Sequence, residues 1–352
     1  IERIEVMRGA GAAVWGVNAV NGVINIISKH SREQVGGLIA PVLGTDGKGG
    51  FYARYGASLD EDTSWKLSTQ GRHAEPSKEA ASGAYAEDRL NNAAVDMRFD
   101  KKFGGGSDLA VWANAMSSNL GDSMTLNLSN LNSLVLIPVT SKQRDASQTI
   151  AGRYRWLTSA GIESSLQMSA TASSIEIDGF LKEDRNTYDI DYQGRYTFSA
   201  HDVLWGLSHR TTSDSYKTNQ LILNFNPSEF TQRTTGFFLQ DEWTLIPETL
   251  QFGIGARWDY TNLGGNTFAP NATLMWTPSR SNTLWAKYAQ APRLPSRAEQ
   301  TVSIFHTVVP ANQQSRLPII MRGSSTSSAS PLRPGVSVRR RPAGAGCPGA
   351  CV

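Results

Sequence analysis

The sequence predicts a transmembrane antiparallel β-barrel, on three observations. About thirteen alternating apolar/polar segments follow one another between residues 35 and 292. The gaps between them run short, long, short, long, as they do when a chain crosses a slab with tight turns on one side and roomy loops on the other. Tryptophans crowd the short-gap ends of the segments, where an interfacial aromatic girdle would stand.

The clearest segment is 188–198. Tyr188, Ile190, Tyr192, Gly194, Tyr196 and Phe198 share one parity, and Asp189, Asp191, Gln193, Arg195 and Thr197 share the other. Side chains alternate faces along a strand, so one face is apolar and the other charged. Residues 249–260 repeat the pattern, with Leu250, Phe252, Ile254, Ala256, Trp258 and Tyr260 against Gln251, Gly253, Gly255, Arg257 and Asp259. In 150–157, Tyr154 and Trp156 oppose Arg153 and Arg155. Such segments reach the roughly 9–11 residues that a tilted strand needs to cross a bilayer, beyond the about 5–6 of ordinary sheets.

The short gaps are 60–63, 104–107, 159–161, 199–202, 246–248 and 278–282; the long ones are 44–50, 74–91, 118–147, 174–187, 213–231 and 261–266. Trp65, Trp156, Trp205, Trp243, Trp276 and Trp285 lie within three positions of a short gap. Two residues break the pattern: Asp241 shares parity with Phe237, Leu239 and Trp243, and Trp285 with Lys287. No stretch approaches the roughly 18 apolar residues that a spanning helix needs, and a mean hydropathy of −0.33 suits a barrel with a wet interior. A soluble β-sandwich or propeller is the competing reading.

Both ends depart from the rhythm. Residues 1–29 read as a strand (Ile1–Val6), a Gly/Ala turn or helical turn (Gly9–Trp15) and a second strand (Gly22–Ser28). Gly9-Ala10-Gly11 lacks the third glycine of a dinucleotide-binding turn, and a generic βαβ unit is the plain alternative. No initiator methionine or export signal precedes Ile1, so a missing start is expected. Residues 302–352 hold six arginines and no acid, leaving 28 basic and 31 acidic residues in the body. This stretch is expected to be a disordered tail over 301–352, and Arg339-Arg340-Arg341 reads as a nucleic-acid or lipid contact, a solvated run, or out-of-frame translation. Cys347 and Cys351 have neither a His nor a second Cys pair nearby, a weak metal signal.

Residues 1–29, IERIEVMRGAGAAVWGVNAVNGVINIISK, closely resemble the C-terminal part of the plug domain of TonB-dependent outer-membrane receptors. The resemblance is carried by Ile1–Gly9, Trp15-Gly16, Asn18-Ala19 and Gly22–Lys29. The family usually has Pro where this chain has Ala10, and often Leu-Tyr where it has Val14-Trp15. Weaker similarities follow in Phe238–Trp243, Gly255–Tyr260, Ala269–Ala272 and Tyr288–Arg293.

The resemblance implies an all-β fold: a transmembrane β-barrel of which about 13 of 22 strands are present, with a small α/β plug remnant at the N-terminus. The implied domains are 1–30 (plug), 31–300 (partial barrel) and 301–352 (tail). It implies a Gram-negative outer-membrane location and active uptake of a scarce nutrient chelate, iron–siderophore first and cobalamin or haem as neighbours. The implied partners are the TonB protein of the inner membrane, such a ligand and outer-membrane lipid, with a monomeric protein and no nucleic acid. A passive porin, a barrel enzyme and a non-functional truncated remnant are the alternatives.

No catalytic residue, resident metal or cofactor is expected. The chain has no paired nucleophile and base, and its histidines (His30, His73, His201, His209, His306) are scattered. The resemblance points to Arg8 and Glu242 as a plug–barrel ion pair, with an Arg8–Glu5 pair inside the plug as the alternative. Ligand contacts are expected in loops 74–91, 118–147 and 213–231. Within them, Leu134-Val135-Leu136-Ile137-Pro138 either touches ligand or continues a strand above the bilayer.

Overall fold

The alternation of residues 36–289 becomes a single antiparallel meander. In the computed structural model the described residues are 1–45, 47–78, 82–127, 136–218, 223–305, 320–322 and 335–340. The chain opens with β1 (Arg3–Arg8), a helical turn α1 (Ala12–Trp15) and β2 (Gly22–Ile27). The wall then runs through β3 (Gly36–Leu43), β4 (Lys48–Ser58), β5 (Thr63–Ala74), β6 (Leu90–Phe103), β7 (Ser107–Asn127), β8 (Leu136–Leu157) and β9 (Glu163–Ile177). It continues through β10 (Leu181–Phe198), β11 (His201–Thr218), β13 (Glu229–Ile246), β14 (Leu250–Thr261), β15 (Gly265–Ser279) and β16 (Asn282–Ala289). A short β12 (Leu223–Phe225) sits between β11 and β13. After β16 come α2 (Arg297–Thr301), β17 (Val302–Phe305), β18 (Ile320–Arg322) and β19 (Gly335–Arg340).

Thirteen wall strands, with β19 added beside β16, make a fourteen-stranded sheet that does not close on itself. β1 and β2 form a separate antiparallel pair, which removes the parallel βαβ reading of residues 1–29. β12, β17 and β18 form a third small sheet. The expected tail therefore has three paired strands among its described residues; Leu134, Val135, His306, Cys347 and Cys351 lie outside them.

Directly opposed residues of an antiparallel pair share a face, so the parity of β10 carries across the wall through its register. The outer face presents exposed Tyr55, Met97, Ile150, Met168, Tyr188, Leu207 and Trp258. The inner face carries Arg54, Arg98, Asp100, Asp191, Arg257 and Asp259. No helix among the described residues is long and apolar enough to cross a membrane; this wall can cross with strands.

Near the short turns the outer face is aromatic. Tyr154 stacks on Trp156, and Tyr196, Phe198, His201 and Trp243 form a continuous ladder with ring spacings of 5.2–5.6 Å. Trp205 lies over Gly194, its cross-strand partner, where any added Cβ would strike the indole. Asp241 belongs to this outer band, and His201 Nδ1 meets its carboxylate at 2.7 Å. Its parity with the aromatics is thus real, and it is paired at interfacial height. Trp285 shares the inner face with Lys287, because Leu284 and Tyr288 are the residues opposite outward Trp276 and Ala272. Trp285 therefore leaves the outer girdle.

The short turns are 59–62, 104–106, 158–162, 199–200, 247–249 and 280–281, all as the spacing predicts. The opposite ends differ from expectation. β7 and β8 extend to 21 and 22 residues, so 118–127 and 136–147 of the expected loop 118–147 are strand, and 128–135 lie outside the described residues. β9 and β10 meet across 178–180 rather than 174–187. Strands this long outrun the about 9–11 residues that a bilayer requires, so their upper parts stand above it. Residues such as Ser117, Ser118, Asn119, Ser141, Lys142 and Gln143 there are polar on both parities, which erases the alternation while the main-chain ladder continues. Leu136-Ile137-Pro138 accordingly extends β8.

The two faces give opposite responses to charge. Met168→Arg, outward and about midway along the membrane-crossing part of β9, should cost about 2–4 kcal/mol in lipid. Ser169→Arg, inward and opposite Asp189, should stay within about 1 kcal/mol. Denaturant titration of the two variants in lipid vesicles measures the difference.

Candidate functional site

The inner wall holds the opening segment at two places, eight strands apart. The first is at β5 and β6. Ser31, fully buried, donates its hydroxyl to Asp100 Oδ2 at 2.6 Å and its N–H to the same oxygen at 3.0 Å. Its single hydroxyl proton is then committed, so Ser64, 2.7 Å away, is the donor to Ser31 Oγ. Arg98 completes the cluster, donating to both Asp100 oxygens and, through Nη1, to the Ser28 carbonyl and hydroxyl at 3.0 and 2.6 Å. Nearby, Gln34 accepts from Lys66 and Arg54. A buried carboxylate is tolerable only when its lone pairs are filled; here serines, an arginine and a main-chain N–H fill them.

The second place is at β14 and β15. Ala12 and Ala19 pack with Ala269 into a small buried cluster, with Val23 and Ala291 against it. Small side chains let α1 approach the wall closely. Gly16, at a left-handed φ of 85°, lies over the Arg257 guanidinium. Arg257 and Asp259 form a buried pair at 2.8 Å, and Arg257 also donates to Ser208 at 2.6 Å and sits over the Phe238 ring.

A third element joins this site. Residues 290–296 run from β16 past the opening segment: Asn18 N–H donates to the Pro292 carbonyl at 2.9 Å, and Leu294 N–H donates to Asn18 Oδ1 at 2.7 Å. α2 follows with a complete capping box between Ser296 and Glu299, the reciprocal arrangement that satisfies two free helix donors. Arg293 together with the Ser296 N–H and hydroxyl holds the Glu299 carboxyl down at about 2. That cap is complete above the ordinary carboxylate value of 4.5 and is lost as pH falls towards about 2. Arg297 is buried, donating to Asp214 at 3.2 Å, to the Pro227 carbonyl at 2.7 Å and to Thr301, between the rings of Tyr216 and Phe230.

The two residues predicted from sequence lie on separate elements. Glu242 does take the inner parity, opposite Asp202, whose partner is Arg195. Arg8 is exposed on β1, opposite Gly22. Among the described residues no ion pair joins Arg8 to Glu242, and Glu5 accepts instead from Arg3 and Asn25. The contacts that do form were not singled out by sequence reasoning. Asn18 lay in a quoted motif without a role, and Ser31–Asp100 carried no local signal.

The expected ligand loops divide in two. Residues 75–78 and 85–89, with the ends of β4, β7 and β8, line a cavity of about 1340 Å³, among them Lys48, Glu75, Tyr85, Arg89, Lys142 and Arg144. Glu75 is held below the usual carboxylate range, chiefly by His73 and then by Arg89. Lys142 and Arg144 carry the outward parity, so this cavity opens on the flank of the β7–β8 hairpin. From the expected loop 213–231, Asp214, Tyr216, Pro227 and Phe230 instead meet Arg297 on the inner side. His30, His73, His201 and His209 each approach at most one carboxylate. Among the described residues no group of three or more potential ligands could hold a metal ion. The site offers exchangeable hydrogen bonds and ion pairs in a polar lumen, the means of holding and releasing a segment.

Residues 39–318 match the family described as TonB dependent receptor-like, beta-barrel. A ferric enterobactin receptor of Pseudomonas aeruginosa is 23% identical over 84% of this chain and 46% of its own length. A vitamin B12 transporter of Photobacterium profundum is 46% identical over 52 residues, 15% of this chain and 8% of its own length. The crystal structure of the siderophore receptor PirA from Acinetobacter baumannii superposes with a TM-score of 0.67 over 95% of this chain and 54% of its own, at 17% identity; that likeness shows the fold. The chain spans about half the length of the ferric enterobactin receptor and of this solved structure.

Removing one member of the buried pair should be costly. Asp259→Ala leaves the Arg257 charge buried without its counter-charge, for about 3–5 kcal/mol. The joint replacement Arg257→Met/Asp259→Leu should recover most of that loss. Equilibrium unfolding of the two variants in detergent checks both.

Proposed function

This chain belongs to the family of TonB-dependent receptors, and on that premise we propose that the whole receptor takes up a scarce metal chelate actively across the outer membrane. An iron–siderophore complex is the proposed ligand, with cobalamin as the neighbouring class; the names of the ferric enterobactin and siderophore receptors support the first and that of the vitamin B12 transporter the second. Barrels of this family are outer-membrane proteins of Gram-negative bacteria. Work for uphill transport is proposed to arrive mechanically through the TonB protein, and no covalent step is required.

The observation that carries the proposal is the opening segment fastened to the inner wall by Ser31–Asp100–Arg98 and by Ala12, Ala19 and Asn18. A passive porin has no need of a fastened element inside its wall. An energised receptor needs one that holds at rest and gives way under load. The outward apolar face of the β1–β2 pair, Ile4, Val6, Ile24 and Ile26, is consistent with a larger plug of which this pair is one part. The proposal retains Arg8 and Glu242 as a plug–barrel pair for a complete lumen, worth around 1 kcal/mol in water.

Iron-limited cells carrying the intact receptor as their sole candidate uptake route test the reading. Growth on at least one ferric siderophore is expected, and deletion of TonB should abolish it. Uptake that is indifferent to TonB would leave the passive porin as the better account.

A further inference from the structure

We propose that Asn18 and residues 290–301 form a stiff strap linking the opening segment to the short strand β12. Asn18 grips the strap with two groups at once, its main-chain N–H on Pro292 and its side-chain oxygen on the Leu294 N–H. This is the exchange of donor and acceptor that a strand edge would make, supplied by a single residue. Its φ of 72° is left-handed, a conformation uncommon for residues other than glycine and most tolerable for Asn or Asp.

The strap has little slack. Pro292 and Pro295 fix their own φ angles, and the capping box fixes the start of α2 immediately afterwards. Leu294 is buried against Gly264 in the β14–β15 turn, and Gln300 donates to the Leu263 carbonyl. Arg297 enters its buried site only three residues beyond the Asn18 bond. At the far end Asn226 N–H donates to the Thr301 carbonyl, and β17 pairs with β12. Tyr216, Leu223 and Phe225 bury themselves there, with Phe180, Leu181 and Val302 around them.

A continuous set of hydrogen bonds and buried contacts therefore runs from Asn18 to β12. Ordering β12 orders the strap, and the strap positions Asn18. Coupling of this kind is reciprocal: a disturbance at either end must be felt at the other. Only the purpose of the coupling rests on the transport reading, as a way for occupancy of the mouth to reach the plug.

Hydrogen exchange on the full-length receptor in detergent tests the strap without any ligand. Asn18→Gly keeps the left-handed backbone and removes the side-chain acceptor; Asn18→Asp keeps both. Asn18→Gly should speed exchange about tenfold at the Leu294 amide and also at the distant Asn226 amide, while Asn18→Asp stays near the native rates. From the other end, Arg297→Gln should speed exchange at the Asn18 amide. The Tyr192 amide in β10 should be unchanged in all three. If Asn18→Gly affects Leu294 but leaves Asn226 at the native rate, or if Asn18→Asp behaves like Asn18→Gly, the strap is refuted. Should Asn18→Gly also loosen Tyr192, the wall has failed to assemble and the Arg297→Gln arm decides alone, an unchanged Asn18 amide refuting the proposal. TonB-independent uptake would sink the transport reading and leave these exchange rates as they are.

Discussion

A chain crossing hydrocarbon has no water to satisfy its main-chain N–H and C=O groups, and every other feature of this molecule follows from that constraint. The antiparallel ladder from β3 to β16 satisfies those groups between strands. Because the ladder fixes register, it also fixes which side chains face outward. Tyr188 and Ile190 are thereby turned outward, and Asp189 and Asp191 are turned inward. An unbroken ladder of this kind is what allows a strand with full charges on every second residue to cross a membrane.

The inward charges then set the second level of organisation. A polar lumen can hold a folded segment through bonds that water would otherwise compete for, but only where the partners are shielded. Asp100, Asp259 and Asp214 are each nearly inaccessible, and each has an arginine partner. Pairs of this sort add little net stability over an apolar core, yet they punish any misplacement severely. They therefore specify position. The first two lie where the opening segment meets the wall, and the third lies where α2 meets β11.

Much of the wall was legible in the sequence because period-two alternation is a direct consequence of strand geometry. β10 and β14 were readable residue by residue, and the six short turns fell where the pattern breaks. The upper hairpins were not, since residues such as Ser117, Ser118 and Asn119 are polar on both parities and the ladder does not need apolar side chains to continue. Asp241 could be explained only once His201, forty residues away in the chain, was seen beside it. The inner contacts were the least legible part. Asn18 and Leu294 are 276 positions apart, and no local pattern marks such a pair. The motif around Asn18 identified the neighbourhood, and the fold supplied its contacts.

The central claim is that this sheet is a membrane wall with a lipid face and a water face, and single-site spin labelling along β10 tests it most directly. Replacing Cys347 and Cys351, the only cysteines, gives a clean background. Labels at Tyr188, Ile190, Tyr192 and Tyr196 should be relaxed preferentially by oxygen dissolved in the bilayer. Labels at Asp189, Asp191, Gln193 and Arg195 should respond instead to a water-soluble nickel chelate, with a period of two throughout. Aromatic positions shielded from both reagents would mean that they pack against a second protein layer, and the membrane wall would be wrong.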